Sequence, residues 1–195
     1  MSRQGVALNW VEIAATLLTV ASVFLTVRLR TALYPVGLVA TALFFWVFWE
    51  AKLYASAGLQ VYFVVIQLYG WWFWTRGDHG RPPSIGDWSW GRVGLALVAA
   101  SVLSLLVATV LARVTDARSP WLDTTILALS VLAQFLLDRK QIKHWSVWGV
   151  VNLLSVYVYA RQGLWWTTAL YVVLFFNVFY GAWSWRKARR AEVAA

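Results

Sequence analysis

The sequence predicts an all-α integral membrane protein with seven transmembrane helices, laid out as two parallel three-helix repeats joined by a single helix, a 3+1+3 arrangement. Three observations predict it. The 195 residues are 61% hydrophobic and 13% charged, against roughly 45–50% and about 25% in soluble domains. Apolar residues gather into seven runs separated by short charged connections. Two motifs also recur in the same order, about 111 and about 105 positions apart.

The runs extend approximately from Trp10 to Val27, Leu33 to Trp49, Leu59 to Trp74, Val93 to Ala112, Leu122 to Leu137, Trp145 to Ala160 and Leu164 to Trp185. The first is read as a retained helix, because it ends at Arg28 and Arg30 and not at a small-residue cleavage site. Several runs have only 16 to 18 residues, about 24–27 Å of helix against a hydrocarbon core of roughly 30 Å. Such helices need interfacial anchors, and nearly all of the 15 tryptophans fall at run ends, where they are expected to form aromatic belts. Trp88 and Trp90 are expected to mark a headgroup-level approach to the fourth run.

Of the 17 lysines and arginines, five fall on the side of the N-terminus and twelve on the other. The positive-inside rule then places the N-terminus outside and the C-terminus in the cytoplasm. Tyr69-Gly70-Trp71-Trp72-Phe73-Trp74 is echoed by Tyr180-Gly181-Ala182-Trp183-Ser184-Trp185, and Tyr54 to Leu59 by Tyr159 to Leu164. These echoes indicate duplication of a three-helix unit. The fourth run, free of aromatic residues from Val93 to Ala112, is the connector that keeps the copies parallel. The expected divisions are residues 1–92 for the first bundle and its loop, 93–112 for the connector, and 113–195 for the second bundle and a basic C-terminal tail. A binding site is expected between the halves, near mid-membrane.

A net charge of +9 sets topology here, and no nucleic-acid partner is expected. The absence of cysteine excludes disulfides and thiolate chemistry. His79 and His144 lie in charged connections and are read as solvated, so neither a metal nor a cofactor is expected. Glu12, Glu50, Asp123 and Asp138 sit near run ends, within reach of headgroups or water. Without carboxylates at depth, a passive facilitator is favoured over a proton-coupled pump. No paired carboxylates, no metalloprotease helix and no nucleophile elbow are present, so no enzyme activity is expected.

What remains at depth is amide and indole. Trp145, Trp148 and Asn152 recur at i, i+3 and i+7, which stacks them on one helix face, with Ser155 and Tyr159 continuing the stripe. Such a stripe suits a flat, polar solute, or else an interfacial tryptophan pair with an asparagine gluing two helices. Gln67, Gln134 and Asn177 add further amides on three other runs, accompanied by Tyr157 and Phe176. Each buried amide must meet another helix, water or a ligand. Trp145, Trp148, Asn152, Asn177, Gln67 and Gln134 are therefore the candidate substrate-binding residues.

At these residues the chain resembles the Pnu family of bacterial vitamin transporters, most closely its nicotinamide riboside carriers. The resemblance rests on Trp145-x-x-Trp148-x-x-x-Asn152, the Tyr-Gly-Trp ending of the third run, Leu53-Tyr54 with Leu59-Gln60, and Pro35-x-Gly37, and it spans Glu12 to Trp185. It implies a homotrimer, related in architecture to SWEET sugar transporters, that lets nicotinamide riboside equilibrate across the bacterial inner membrane. A cytoplasmic kinase would then trap the solute. It further implies that Trp145 and Trp148 help enclose the base and that Asn152 and Asn177 face the riboside or its amide. Thiamine, riboflavin or another nucleoside is the alternative cargo, and a non-transporting membrane scaffold the alternative class.

Overall fold

In hydrocarbon a chain with no water to bond must satisfy its own backbone, and the apolar runs do so as helices. The computed structural model describes residues 3–50, 54–77, 80, 82–112, 120–161 and 165–194, with the side chains of 3–9, 54–55, 103–104, 107–108, 110–112 and 120–124 excepted. His79, Lys52, Arg81, Arg113 and Arg118, and the side chain of Asp123, lie outside the described set. Among the described residues there are seven helices: α1 (Arg3–Val27), α2 (Leu33–Glu50), α3 (Tyr54–Arg76), α4 (Trp90–Ala112), α5 (Pro120–Asp138), α6 (His144–Arg161) and α7 (Trp165–Ala194). Pro35 falls in the first turn of α2, where its missing N–H costs nothing. The expected C-terminal tail is not a loose extension: α7 continues nine residues past Trp185, to Ala194.

By length and apolar content, Trp10–Val27, Leu33–Glu50 and Trp165–Ala194 each suffice to cross a membrane. The helix surfaces are dominated by exposed apolar side chains, Leu17, Val65, Leu95, Val98 and Phe176 among them. Water would penalise that surface and lipid does not.

The helices pack as a ring. The principal contacts run α1 to α2, α2 to α3, α3 to α5, α5 to α6, α6 to α7 and α7 back to α1, and α4 lies outside the ring against α5. Exchanging α1, α2 and α3 for α5, α6 and α7 maps this ring onto itself. The turns repeat as well, at a constant offset of 111 positions. Leu29 N–H donates to Thr26 O (3.0 Å) and Arg30 N–H to Leu25 O (3.0 Å); Lys140 donates to Leu137 O (2.8 Å) and Gln141 to Leu136 O (2.8 Å). Both are Schellman caps, each closed by a residue in the left-handed region, Leu29 and Lys140, both at φ 55°. For a residue with a side chain that geometry costs about 1–2 kcal/mol, and both copies accept it.

One end of the ring, which we call basal, is sealed by side chains. Tyr34, Phe73, Trp74, Leu137, Ile142, Trp145, Val178 and Trp185 form one buried cluster there. Tryptophans expected in the interfacial belt are thus reassigned: Trp74, Trp145 and Trp185 are 4%, 4% and 0% exposed. Belt positions remain at Trp10, Trp49, Trp165, Trp166 and Trp183, which are exposed. Trp90 is exposed with Lys143 Nζ 5.1 Å above its ring, while Trp88 packs edge-on against Phe135.

Asp138 also departs from expectation. It reaches neither headgroups nor water; it is 0% exposed and accepts hydrogen bonds from Tyr34 Oη and Gln134 Nε2, both at 3.0 Å. Tyr34 belongs to α2 and Asp138 to α5, so this bond crosses from one half to the other. Beside it Trp185 Nε1 donates to Thr26 O at 3.0 Å and Arg139 Nη1 to Tyr69 Oη at 3.0 Å. At the opposite, apical end Glu12 is also engaged, accepting from Thr167 Oγ1 at 2.9 Å.

The segment after α3 straps the basal face. Gly86 N–H donates to Lys140 O (3.0 Å) and Ile142 N–H returns to Gly86 O (2.9 Å). Lys140 Nζ donates to Pro83 O at 2.7 Å, Ile85 N–H to Glu192 Oε2 at 2.9 Å, and Asp87 pairs with both Lys143 and Arg189.

Two glycines make the basal packing feasible. A Cβ on Gly70 would overlap the Asp138 carboxylate and the Tyr34 hydroxyl, and one on Gly181, its equivalent, would overlap the Trp145 ring. Gly70→Ala is therefore expected to destabilise the protein by about 1–3 kcal/mol through overpacking. Gly58→Ala, whose Cβ would meet nothing within 4 Å, is expected to be neutral or slightly stabilising. Thermal unfolding of the two purified variants in detergent checks the pair.

Candidate functional site

Between the two halves lies a cavity of about 190 Å³, lined by α1, α2, α3, α5, α6 and α7 and by no described residue of α4. Its floor is the basal cluster. Lining residues occur as pairs at the same offset of 111 positions, among them Val23 with Gln134, Leu33 with His144, Gly37 with Trp148, Thr41 with Asn152, Gln60 with Tyr171 and Gln67 with Val178. The frame is symmetric and the chemistry is not.

All six residues expected from sequence line this one cavity. They arrive by different routes. Trp145, Trp148 and Asn152 are the inward face of α6, with Trp145 and Asn152 buried and Trp148 tilted against Phe63 of the opposite half at 6.4 Å. Asn177 comes from α7, Gln67 from α3 and Gln134 from α5. Tyr157 and Phe176 do not join them: they are 53% and 67% exposed, and Tyr157 accepts a hydrogen bond from Arg161 on the outer surface of α6. Of the stripe's continuation, Ser155 is buried and Tyr159 stacks on Tyr171 at 5.3 Å; neither lines the cavity.

The polar groups of the first-half wall mostly answer one another. Gln67 Nε2 donates to Thr41 Oγ1 (2.9 Å), Ser22 Oγ to Leu33 O (2.9 Å), Thr26 Oγ1 to Ser22 O (2.9 Å) and Thr19 Oγ1 to Ala15 O (2.8 Å). Gly37 gives Gln67 and Ser22 their room, since a Cβ there would strike the Gln67 amide oxygen. Gln134 is likewise engaged through its Nε2 with Asp138.

The second-half wall is different. Among the described lining residues, the buried polar atoms without a partner are Trp145 Nε1, Asn152 Oδ1, Asn177 Nδ2 and His144 Nε2. All four belong to α6 or α7. They offer two donors and two acceptors to whatever enters, and unpaired each costs about 1–3 kcal/mol. His144 corrects the reading of a solvated histidine: it is 1% exposed, with Nδ1 2.8 Å from Gln141 O and its ring between Trp145 and Trp185, 4.5 and 4.6 Å away. Sequence reasoning passed over it because Lys140 and Lys143 precede it. The one available signal was its place next to Trp145, at the start of the same inward face.

No lysine, arginine, aspartate or glutamate occurs among the described lining residues. An uncharged, aromatic and amide-rich cavity among the helices of a membrane protein defines a transporter of a small polar solute. The chain belongs to the nicotinamide mononucleotide transporter family, whose model matches residues 9–187, and it is a multi-pass membrane protein.

Two relatives and one solved structure give the family detail. The nicotinamide riboside transporter PnuC of Escherichia coli strain K12 is 28% identical, over 95% of this chain and 89% of that protein. The riboflavin/roseoflavin transporter RibM of Streptomyces davaonensis is 26% identical, over 90% and 84%. The crystal structure of the vitamin B3 transporter PnuC superposes with a TM-score of 0.76 at 24% identity, covering 93% of this chain and 83% of that one, and shows the same fold. These relatives are transporters and not enzymes.

Unpaired polar atoms stabilise a ligand complex at the expense of the empty protein. Asn152→Leu, which removes the unpaired Oδ1 at similar volume, is expected to raise the melting temperature of the ligand-free protein while weakening solute binding at least tenfold. Trp148→Ala is expected to weaken binding without preventing assembly. Thermal shift with and without solute, read beside calorimetry, separates the two effects.

Proposed function

We propose that this protein carries nicotinamide riboside into the cell by facilitated diffusion, with Trp145, Trp148, Asn152, Asn177, Gln67 and Gln134 as its substrate-binding residues. The observation that carries the reading is the cavity's composition. Nicotinamide riboside is a flat cationic ring with a carboxamide and ribose hydroxyls. Indole faces attract such a ring by about 0.5–2 kcal/mol each, and the unpaired amide and indole atoms of α6 and α7 complement its donors and acceptors.

The same composition selects the riboside over the mononucleotide of the family's name. A phosphate dianion would require an arginine or lysine clamp, and the described lining residues supply none. The Escherichia coli relative, described as a nicotinamide riboside transporter, supports the same cargo.

The remaining parts of the proposal follow. The ring of helix contacts, the pairs at offset 111 and the exclusion of α4 from the cavity support the 3+1+3 layout in two parallel repeats, SWEET-like in plan. They also support the division at 1–92, 93–112 and 113–195. The excess of basic residues on the basal side supports a cytoplasmic C-terminus and an external N-terminus in a bacterial inner membrane. Assembly as a homotrimer and trapping by a cytoplasmic kinase complete the reading. The one buried carboxylate among the described residues, Asp138, is spent on Tyr34 and Gln134 and is not among the lining residues, which fits an uncoupled carrier.

Proteoliposomes loaded with buffer are expected to take up labelled nicotinamide riboside to equilibrium and no further, with no response to an imposed pH or sodium gradient, and to exclude the mononucleotide. Uptake of thiamine or riboflavin in its place would reassign the cargo. Gradient-driven accumulation would overturn facilitated diffusion.

A further inference from the structure

Among the described lining residues outside the proposed site, His144 alone carries a buried polar atom without a partner. A carbonyl oxygen only accepts, so Nδ1 at 2.8 Å from Gln141 O holds the ring hydrogen, and the neutral imidazole is left with a lone pair on Nε2. That atom is buried and has no partner among the described residues. Flanking rings of Trp145 and Trp185 fix the imidazole plane.

The duplication supplies an internal control. The equivalent of His144 in the first half is Leu33, 2% exposed, also lining the cavity, and set in the same Schellman-capped turn. Leu33 N–H donates to Arg30 O at 3.1 Å, as His144 N–H donates to Gln141 O at 3.1 Å. The scaffold is thus complete at this position with a leucine. An imidazole adds nothing that the turn or the floor requires, and it carries the cost of an unpaired buried acceptor.

We propose that His144 is a further ligand-contacting, specificity-determining residue, whose Nε2 accepts a hydrogen bond from a donor on the transported solute, a carboxamide N–H or a ribose hydroxyl. The assignment rests on the reading of this cavity as a nicotinamide riboside site. With Asn152 Oδ1, about two turns further along the same helix, Nε2 makes a pair of acceptors on α6 that rewards a solute with two separate donors. A solute lacking them would leave both atoms unpaired and would be discriminated against.

Three variants of the full-length protein test this by calorimetry with nicotinamide riboside. His144→Asn keeps an amide donor near the Nδ1 position for Gln141 O and removes the acceptor; His144→Leu copies the first half. Both are expected to bind about tenfold more weakly, with a melting temperature of the empty protein equal to or above that of the wild type. His144→Gln, whose longer amide reaches the Nε2 position, is expected to stay within about threefold of the wild type. Wild-type affinity in His144→Leu overturns the assignment alone. So does a loss of binding in all three variants that tracks a fall in melting temperature, the mark of a structural role. If the wild type itself fails to bind nicotinamide riboside, the reading of the site falls, and the assignment with it.

Discussion

Away from water, an unpaired polar group has no alternative partner, and the cost of leaving one so divides the labour between the two halves of this protein. On the cavity wall the first half spends the hydroxyls of Thr19, Ser22, Thr26 and Thr41 and the Gln67 amide on itself. Along the seam, Asp138 is answered by Tyr34 from across the interface and by Gln134 from its own helix. The second half leaves four buried atoms open on the cavity wall, where the described lining residues of the first half leave none. One wall has its polar groups paired within the protein, and the other presents the open atoms proposed above to meet the solute.

Lipid supplies no hydrophobic drive between helices, so the seal beneath the cavity depends on closeness of approach. Gly70 admits the Tyr34–Asp138 bond and Gly181 admits the Trp145 ring, one glycine in each copy of the same Tyr-Gly motif. Tyr34 and Trp145 are themselves equivalent positions. Both places follow one rule, small on one helix against large on its neighbour, while the large residue differs. That difference lets one side form a polar latch and the other an aromatic floor.

Much of this was legible in the residues. The helix count follows from apolar runs, the repeat from the Tyr-Gly-Trp echo, and the convergence of Trp145, Trp148, Asn152, Asn177, Gln67 and Gln134 on one cavity from the expense of burying amides. His144 and Asp138 were misread because charge density in a connection is an average over neighbours, and each is buried by helices distant in sequence. Lys140 and Lys143 carry the charge of that connection to Pro83, Asp87 and Trp90, and leave the two residues between helix ends and floor dry. Tyr157 and Phe176 failed for the opposite reason. Aromatic residues on a lipid-facing helix surface look the same in sequence as aromatic residues on a binding face, and only the ring of helix contacts tells them apart.

The strap across the basal face has a mechanical consequence. The turns at 28–32 and 139–143 are twins in their backbone, but only the second is gripped by the segment that joins the halves, through Pro83, Gly86 and Asp87. Gln141 and Ile142, inside that grip, immediately precede the cavity floor at His144 and Trp145. The loop between the repeats is therefore more than a tether: its described hydrogen bonds and ion pairs hold the turn that opens one wall of the cavity.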